Sequence, residues 1–375
     1  MEPIPIPEMQ NPSCLLYGPG DARYEDRPVP EIEDPTDVII QVAYNGVCGS
    51  DVHFWLHGGV KSFVSQSDPI VMGHEASGII HKVGEKVTTL QPGDRVALEP
   101  GYPCRICPCC KRGRYNLCPS MMFAAVPMRC HGTLTRFFKL PADYCYKIPE
   151  GTMGLDEAVL LEPLAVAVHS VRQVGVKPGD KVVVFGAGTV GILCAAVARE
   201  FGARMIVSVD INEEKLEFAR GIVVSDSTGY VDFRAFKPDS FMTSEDTALR
   251  LLEEHDPREE EGDIPGFDVV IEATGAASCV RTGIHAIRVG GVFVQTGMGK
   301  RCMDFPIGAV AEKEIMLRGC FRYGPGDFKL GLQLVVAKKI LVGRFITKVV
   351  PFEKAADAWE TTMRGEGIKT VIRGI

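Results

Sequence analysis

Thirteen cysteines in 375 residues is a high count, and five of them fall between Cys104 and Cys118. The run Cys104-x2-Cys107-x2-Cys110-x7-Cys118 gathers four thiols in a short stretch broken by Pro103, Pro108 and Gly113. Four thiolates saturate a tetrahedral zinc, so such a site is structural and leaves no position for a substrate. Spacing alone does not choose between Cys110 and Cys109. A second donor set is scattered: Cys48, the adjacent His74 and Glu75, and Glu162 inside the apolar run Val159–Leu164. An unpaired carboxylate in such a run is costly. These four mix the soft and hard donors of a catalytic zinc, which takes about three protein ligands and keeps one position open. The sequence by itself does not bring them together.

A third set binds rather than reacts. Val182–Phe185 reads as a buried strand, and Gly186-Ala187-Gly188-Thr189-Val190-Gly191 follows at once, before a helix-forming run free of Pro and Gly. Strand, glycine turn and helix are the context of a dinucleotide fingerprint. Gly186 permits the tight turn, Gly188 lets the backbone approach a pyrophosphate, and Gly191 allows close helix–strand packing. Asp210 closes the next strand, Met205–Val209, 19 residues after Gly191. A carboxylate there holds the ribose hydroxyls of NAD and repels the 2′-phosphate of NADP. Lys215, on a helix entered from Asn212, either reaches the adenosine ribose or belongs to a solvated helix face.

Positioning these residues takes an alternating α/β unit around the glycine turn and a strand-rich unit around the metal donors. Val38–Tyr44 predicts a strand leading into a glycine-broken loop, Asn45–His53. Phe267–Ala273 and Gly290–Met298 predict further parallel strands, and Ile315–Phe321 a return towards the metal-binding part. Phe328–Arg364 holds two amphipathic helical patterns and a strand near Phe345–Val350, while Glu253–Asp263 reads as a solvated acidic loop. The length suits two domains. A net charge of −7 gives no electrostatic case for binding nucleic acid or an anionic membrane. No run of 18 apolar residues predicts a membrane helix. The first residues lack the basic start and apolar core of a signal peptide, so the cytoplasm is the expected location.

In order along the chain, GVCGSDVH, GHEASG, GDRVALEPG, the four-cysteine lobe, LLEPLAVAVH and the GAGTVG unit resemble the zinc-dependent medium-chain dehydrogenases. Within that family the resemblance is to the polyol branch, the sorbitol, xylitol and L-arabinitol dehydrogenases. YEDRPVPE, YNLCP, ADYCY and GEGIKT are most similar to the fungal-type xylitol dehydrogenases, or D-xylulose reductases. The likeness runs from about Asn11 to the end. It implies an α/β chain: a GroES-like β-rich catalytic domain at 1–163 with its structural zinc lobe at 101–120, a Rossmann doubly wound parallel-sheet domain at 164–308, and a return to the catalytic domain at 309–375.

The resemblance also implies NAD and two zinc ions per chain. It makes Cys48, His74 and Glu75 ligands of the catalytic zinc, with Glu162 reaching the metal or its bound water and the substrate. Ser50 and His53 match the relay that takes the alcohol proton to solvent. Gly186, Gly188, Val190, Gly191, Asp210, Lys215, Thr296, Gly297, Met298, Phe321 and Arg322 match cofactor contacts. Phe54, Arg322 and Tyr323 match substrate contacts, although Phe54 stands where the branch often has Tyr. Arg322 has a plainer alternative as a surface cation paired with Asp327. Gly324-Pro325-Gly326-Asp327 replaces the CNTWP of some relatives, which leaves the exact sugar alcohol open. The implied reaction is NAD-dependent oxidation of a secondary alcohol to a ketose, xylitol to D-xylulose first, then D-sorbitol or L-arabinitol. Other readings are a zinc alcohol or threonine dehydrogenase and a non-catalytic dinucleotide-binding protein. A homotetramer acting on a small-molecule polyol, with no nucleic-acid or membrane partner, is expected on analogy.

Overall fold

The computed structural model describes residues 8–60, 62–224, 231–256 and 264–375. The start of the N-terminal entry and most of the acidic stretch, residues 257–263, lie outside them. Two compact units divide the chain: Met1–Glu162 with Val342–Ile375, and Pro163–Leu341.

The first segment runs through β1 (Pro12–Gly18), β2 (Asp21–Asp26), β3 (Asp37–Gly46), α1 (Gly49–His57), β4 (Ile70–Val71), β5 (Glu75–Val83) and β6 (Arg95–Leu98). It continues with β7 (Gly101–Tyr102), α2 (Pro108–Lys111), β8 (Met122–Phe123), β9 (Phe137–Pro141), β10 (Cys145–Lys147) and α3 (Leu155–Ala158). Next come α4 (Leu161–Val174), β11 (Lys181–Phe185), α5 (Thr189–Glu200), β12 (Met205–Val209), α6 (Glu213–Val223), β13 (Asp232–Phe236) and α7 (Ser244–His255). Then follow β14 (Phe267–Glu272), α8 (Ala277–Ala286), β15 (Ile287–Gln295), α9 (Ile307–Glu312), β16 (Met316–Gly319) and α10 (Asp327–Val336). The chain closes with β17 (Ile346–Pro351), α11 (Ala355–Met363) and β18 (Lys369–Arg373).

In the first unit, β10-β6-β5-β3-β18-β17 form one sheet, and β9 also pairs with β3. Val38, Ile40 and Val42 alternate inward along β3 and pack with Ile80, Val96 and Leu98, as one buried face of an antiparallel sheet requires. The register sets Gly46, at the end of β3, opposite Glu75, at the start of β5. This brings the strand entering Cys48 beside the strand leaving His74. The predicted loop around Cys48 is in fact a helix. Cys48 is the N-cap of α1, and Asp51 returns a side-chain oxygen to the Cys48 N–H at 2.9 Å; this local closure stabilises a first turn that Gly49 would disfavour.

The second unit is a parallel sheet in the order β13-β12-β11-β14-β15-β16. Counted along the chain that is 3-2-1-4-5-6, the doubly wound order, which reverses direction between β11 and β14. β11 is buried along its whole length, as a strand covered on both faces must be. Phe185, Phe236, Phe267 and Phe293 fill the core beside it.

Two expectations are corrected here. The return to the first unit comes at Val342, not at 309, because β16 extends the parallel sheet against β15 and keeps residues 309–341 with it. The acidic stretch is not simply a solvated loop. Glu253–His255 end α7, and the side chain of half-buried Asp256 is enclosed, accepting from Lys181 Nζ at 2.7 Å and from the Gly266 N–H at 2.8 Å.

Candidate functional site

Cys48, His74 and Glu75 come together: one donor atom from each lies within 4.8 Å of the others. Asp51 holds the imidazole, its Oδ1 lying 3.6 Å from His74 Nδ1. That leaves Nε2 for the cluster, with Ser50 Oγ beside it at 3.4 Å. Burial opposes charge on His74, but the Asp51 carboxylate and Cys48 outweigh it and lift the imidazole well above its ordinary pKa. Glu75 and Lys369 form a buried ion pair, and the ammonium also donates to the Val47 carbonyl at 2.9 Å. A Cβ on Gly46 would overlap Glu75 Oε2, so glycine is required opposite that carboxylate. A thiol, an imidazole and a carboxylate converging in a buried spot fit a three-ligand zinc site with an open position. The Asp51–His74 contact is the outer support such a ligand needs.

The second cysteine set closes in the same way. Sγ separations are 3.4 Å for Cys107–Cys110, 3.8 Å for Cys107–Cys118 and 3.6 Å for Cys104–Cys118. Zinc–sulfur bonds of about 2.3 Å in a tetrahedron put sulfurs about 3.8 Å apart, so the thiols already stand at the spacing of a closed zinc site. Cys110, not Cys109, completes the four, because the turn of α2 points it back to Cys107. The Cys110 backbone N–H pulls the Cys107 thiol down to about 6, favouring the thiolate. Buried Glu99 anchors the lobe to its sheet, accepting from Tyr115 at 2.5 Å and from Tyr146 at 2.8 Å.

At the carboxyl end of β11, Gly186 has φ +100° and a Cβ on Gly191 would overlap the Gly186 carbonyl oxygen. Gly188 caps α5 with no side chain over its first turn, leaving N–H groups and the positive dipole end for phosphate. Asp210 stands at the tip of β12. Its Oδ2 accepts the Ala187 N–H at 2.7 Å and its Oδ1 the Asn212 N–H at 2.9 Å.

Residues 34–150 match the alcohol dehydrogenase GroES-like domain, and residues 189–337 match the zinc-binding dehydrogenase model. A probable D-xylulose reductase A of Aspergillus terreus is 51% identical over 98% of this chain and 99% of its own. The chain belongs to the zinc-binding dehydrogenases. Another relative, D-xylulose reductase A of Aspergillus oryzae, is 49% identical over 98% of the chain and 97% of its own. Among solved structures, an Escherichia coli oxidoreductase/dehydrogenase of unknown specificity superposes with a TM-score of 0.87 at 28% identity, covering 98% of this chain and all of that one. L-Idonate 5-dehydrogenase from the same organism gives 0.81 at 26%, covering 97% and 98%.

This zinc-binding dehydrogenase leaves some predicted residues apart from the donor clusters. Glu162 is buried in the first turn of α4 and lies outside the 4.8 Å group. His53 is exposed on α1, its ring 5.7 Å from that of His57, and Phe54 packs against the apolar cluster around Trp359. The Lys215 backbone N–H donates to the Asn212 cap at 3.2 Å. Val190 and Thr296 are half-buried, and Met298 is exposed. Arg322 has φ +58° and its guanidinium lies 4.8 Å over the Phe321 ring. Tyr323 is buried edge-on to Phe328, while Asp327 pairs with His169 at 2.7 Å and Arg172 at 2.6 Å. Sequence reasoning missed Asp51 and Lys369. Asp51 had a signal, an acid three residues after a candidate ligand in a helix first turn; Lys369, near the other end of the chain, had none.

Proposed function

We propose that this zinc-binding dehydrogenase interconverts a secondary alcohol of a sugar alcohol and the matching ketose, with xylitol and D-xylulose as the preferred pair and NAD as cofactor. The buried Cys48–His74–Glu75 cluster carries the reading, together with near-50% identity to D-xylulose reductases over nearly the whole chain. Cys48, His74 and Glu75 would hold a zinc ion, which would supply Lewis acidity at the substrate oxygen. The Gly186–Gly191 turn would hold NAD, which would supply the hydride acceptor.

The chain's own residues do the rest. Asp51 fixes the His74 ring so that Nε2 faces the cluster. Lys369 balances part of the negative charge that Cys48 and Glu75 bring into a buried site. Ser50 takes the alcohol proton, and His53, three residues on and one helical turn away, passes it to water. Glu162, buried in the first turn of α4, would support the metal or its bound water. Phe321, Arg322 and Tyr323 contact cofactor and substrate, and Lys215, Val190, Thr296, Gly297 and Met298 line the NAD site with Gly186, Gly188, Gly191 and Asp210. By the same resemblance the enzyme is a cytoplasmic homotetramer, which sedimentation of the purified protein checks.

The deciding experiment follows NADH formation with xylitol, D-sorbitol, L-arabinitol and L-threonine while zinc is counted per chain. Xylitol-led turnover with two zincs is expected. Turnover with L-threonine alone would move the enzyme out of the polyol branch, and no turnover would remove the catalytic reading.

A further inference from the structure

One buried carboxylate has no part in the chemistry above. Glu272 ends β14 with no exposed surface, and its side chain collects donors from two loops. Oε1 accepts the N–H groups of Thr274 at 2.8 Å and Gly275 at 3.0 Å, and the Thr274 hydroxyl as well. Oε2 accepts the Gly275 N–H at 2.9 Å and Gln295 Nε2 at 2.5 Å. Gln295 ends β15 and gives its other amide hydrogen to the Gly297 carbonyl at 2.8 Å. The Glu272 carbonyl oxygen takes the N–H groups of Thr296 and Gly297, both at 2.8 Å. One residue therefore ties the turn after β14 to the turn after β15.

Those turns touch backbone to backbone. Gly275 has φ +74°, and a Cβ on Gly297 or Gly299 would overlap the 274–275 backbone. The first turn also backs the glycine fingerprint: the Ala273 N–H donates to the Phe185 carbonyl at 2.9 Å, and a Cβ on Gly186 would lie 2.9 Å from Thr274 Cγ2. This is the edge where strand order reverses between β11 and β14, the place where doubly wound sheets take their ligands.

We propose that Glu272 is a positioning residue for the dinucleotide crevice: its carboxylate holds the 273–276 and 295–299 turns in the shape that NAD meets, without touching NAD. The inference rests on the NAD reading above. A carboxylate only accepts, and here every donor aimed at it belongs to one of the two turns. Glutamine keeps the volume but turns one acceptor oxygen into an NH2 group. That group must face either Thr274 and Gly275 or Gly275 and Gln295, donor against donor, so at least one turn is pushed away. A buried group left without its partner carries the full desolvation cost.

The test is NADH binding by fluorescence on full-length, zinc-loaded enzyme, for wild type, Glu272→Gln and the milder Thr274→Val. Glu272→Gln is expected to weaken NADH about tenfold and Thr274→Val about threefold, with two zincs retained. KM for NAD should rise by the same factors, while kcat at saturating NAD falls less than about threefold. A purely structural role would lower Tm and leave the NADH Kd of the folded protein unchanged. That result in Glu272→Gln, or in Thr274→Val if Glu272→Gln does not fold, overturns the proposal. Wild-type protein that binds no NADH overturns the NAD reading and this inference with it; wild-type binding matched by the variants overturns this inference alone.

Discussion

Replacing Asp51 with Asn separates two jobs that one carboxylate performs. Its Oδ2 accepts the Cys48 N–H at 2.9 Å, and its Oδ1 faces His74 Nδ1 at 3.6 Å. Asparagine has the same shape and keeps one acceptor oxygen, so the Cys48 contact and the start of α1 survive. What is lost is the negative charge behind the imidazole. Loss of such an outer partner typically costs 10–100-fold in metal affinity, about 1.4–2.7 kcal/mol. The assay is zinc retention during graded chelator competition, with metal counted per chain. Wild type should hold two zincs, and Asp51→Asn should give up one of them at chelator concentrations about 10–100-fold lower. The other, in the four-cysteine lobe, should leave at the wild-type concentration. If both metals leave Asp51→Asn as they leave wild type, while its melting transition stays intact, Asp51 does not support His74.

Cys118→Ser removes one of the four spaced thiols and should release one zinc per chain, lowering Tm by several degrees while NADH still binds; metal counting and thermal melting check it. Asp210→Ala should shift the NAD/NADP preference towards NADP by about tenfold, read as a ratio of kcat/KM values; an unchanged ratio would remove Asp210 from ribose binding. Asp94 gives a pH prediction. Burial alone would raise its carboxyl, but the Lys147 ammonium at 2.7 Å and the Gln91 N–H outweigh that and hold it below the usual range. A depressed carboxylate contributes stability above its unfolded pKa of about 3.9 and loses it as pH falls through the folded value. Asp94→Asn should therefore lower Tm at pH 7 and narrow the gap to wild type below pH 4.

Residues whose partners are near in sequence are legible from the amino-acid order alone. The cysteine lobe spans 15 residues, and the glycine turn sits between its own strand and helix, so spacing carries the chemistry. The Cys109–Cys110 choice is not legible, because it depends on which thiol the single turn of α2 points inward. The predicted loop at Cys48 missed a helix because two glycines hide the capping by Asp51. Lys369 and Glu272 carry no motif: one meets Glu75 across nearly the whole chain, and the other works through donors supplied by the ends of two strands. The sequence places the return at 309 rather than Val342 because β16 is short and exposed, and neither hydrophobicity nor period assigns such a strand to its sheet.

The position of β18 bears on how the protein is made. β18 lies between β3 and β17 and carries Lys369, so the sheet that holds Glu75 and leads into Cys48 gains these two strands only after residues 346–373 are synthesised. The parallel sheet is continuous from Pro163 to Leu341 and has every strand it needs well before then. Emerging from the ribosome, the nucleotide-binding unit can close first, while the earlier-made metal unit waits with an edge of β3 unpaired. In ribosome-stalled nascent chains that end just after Leu341, hydrogen exchange should find β11–β15 protected while β3 and β5 are not. The exposed thiols of the cysteine lobe and Cys48 thus spend longest without their sheet, and early zinc capture by the lobe would shorten that vulnerable interval.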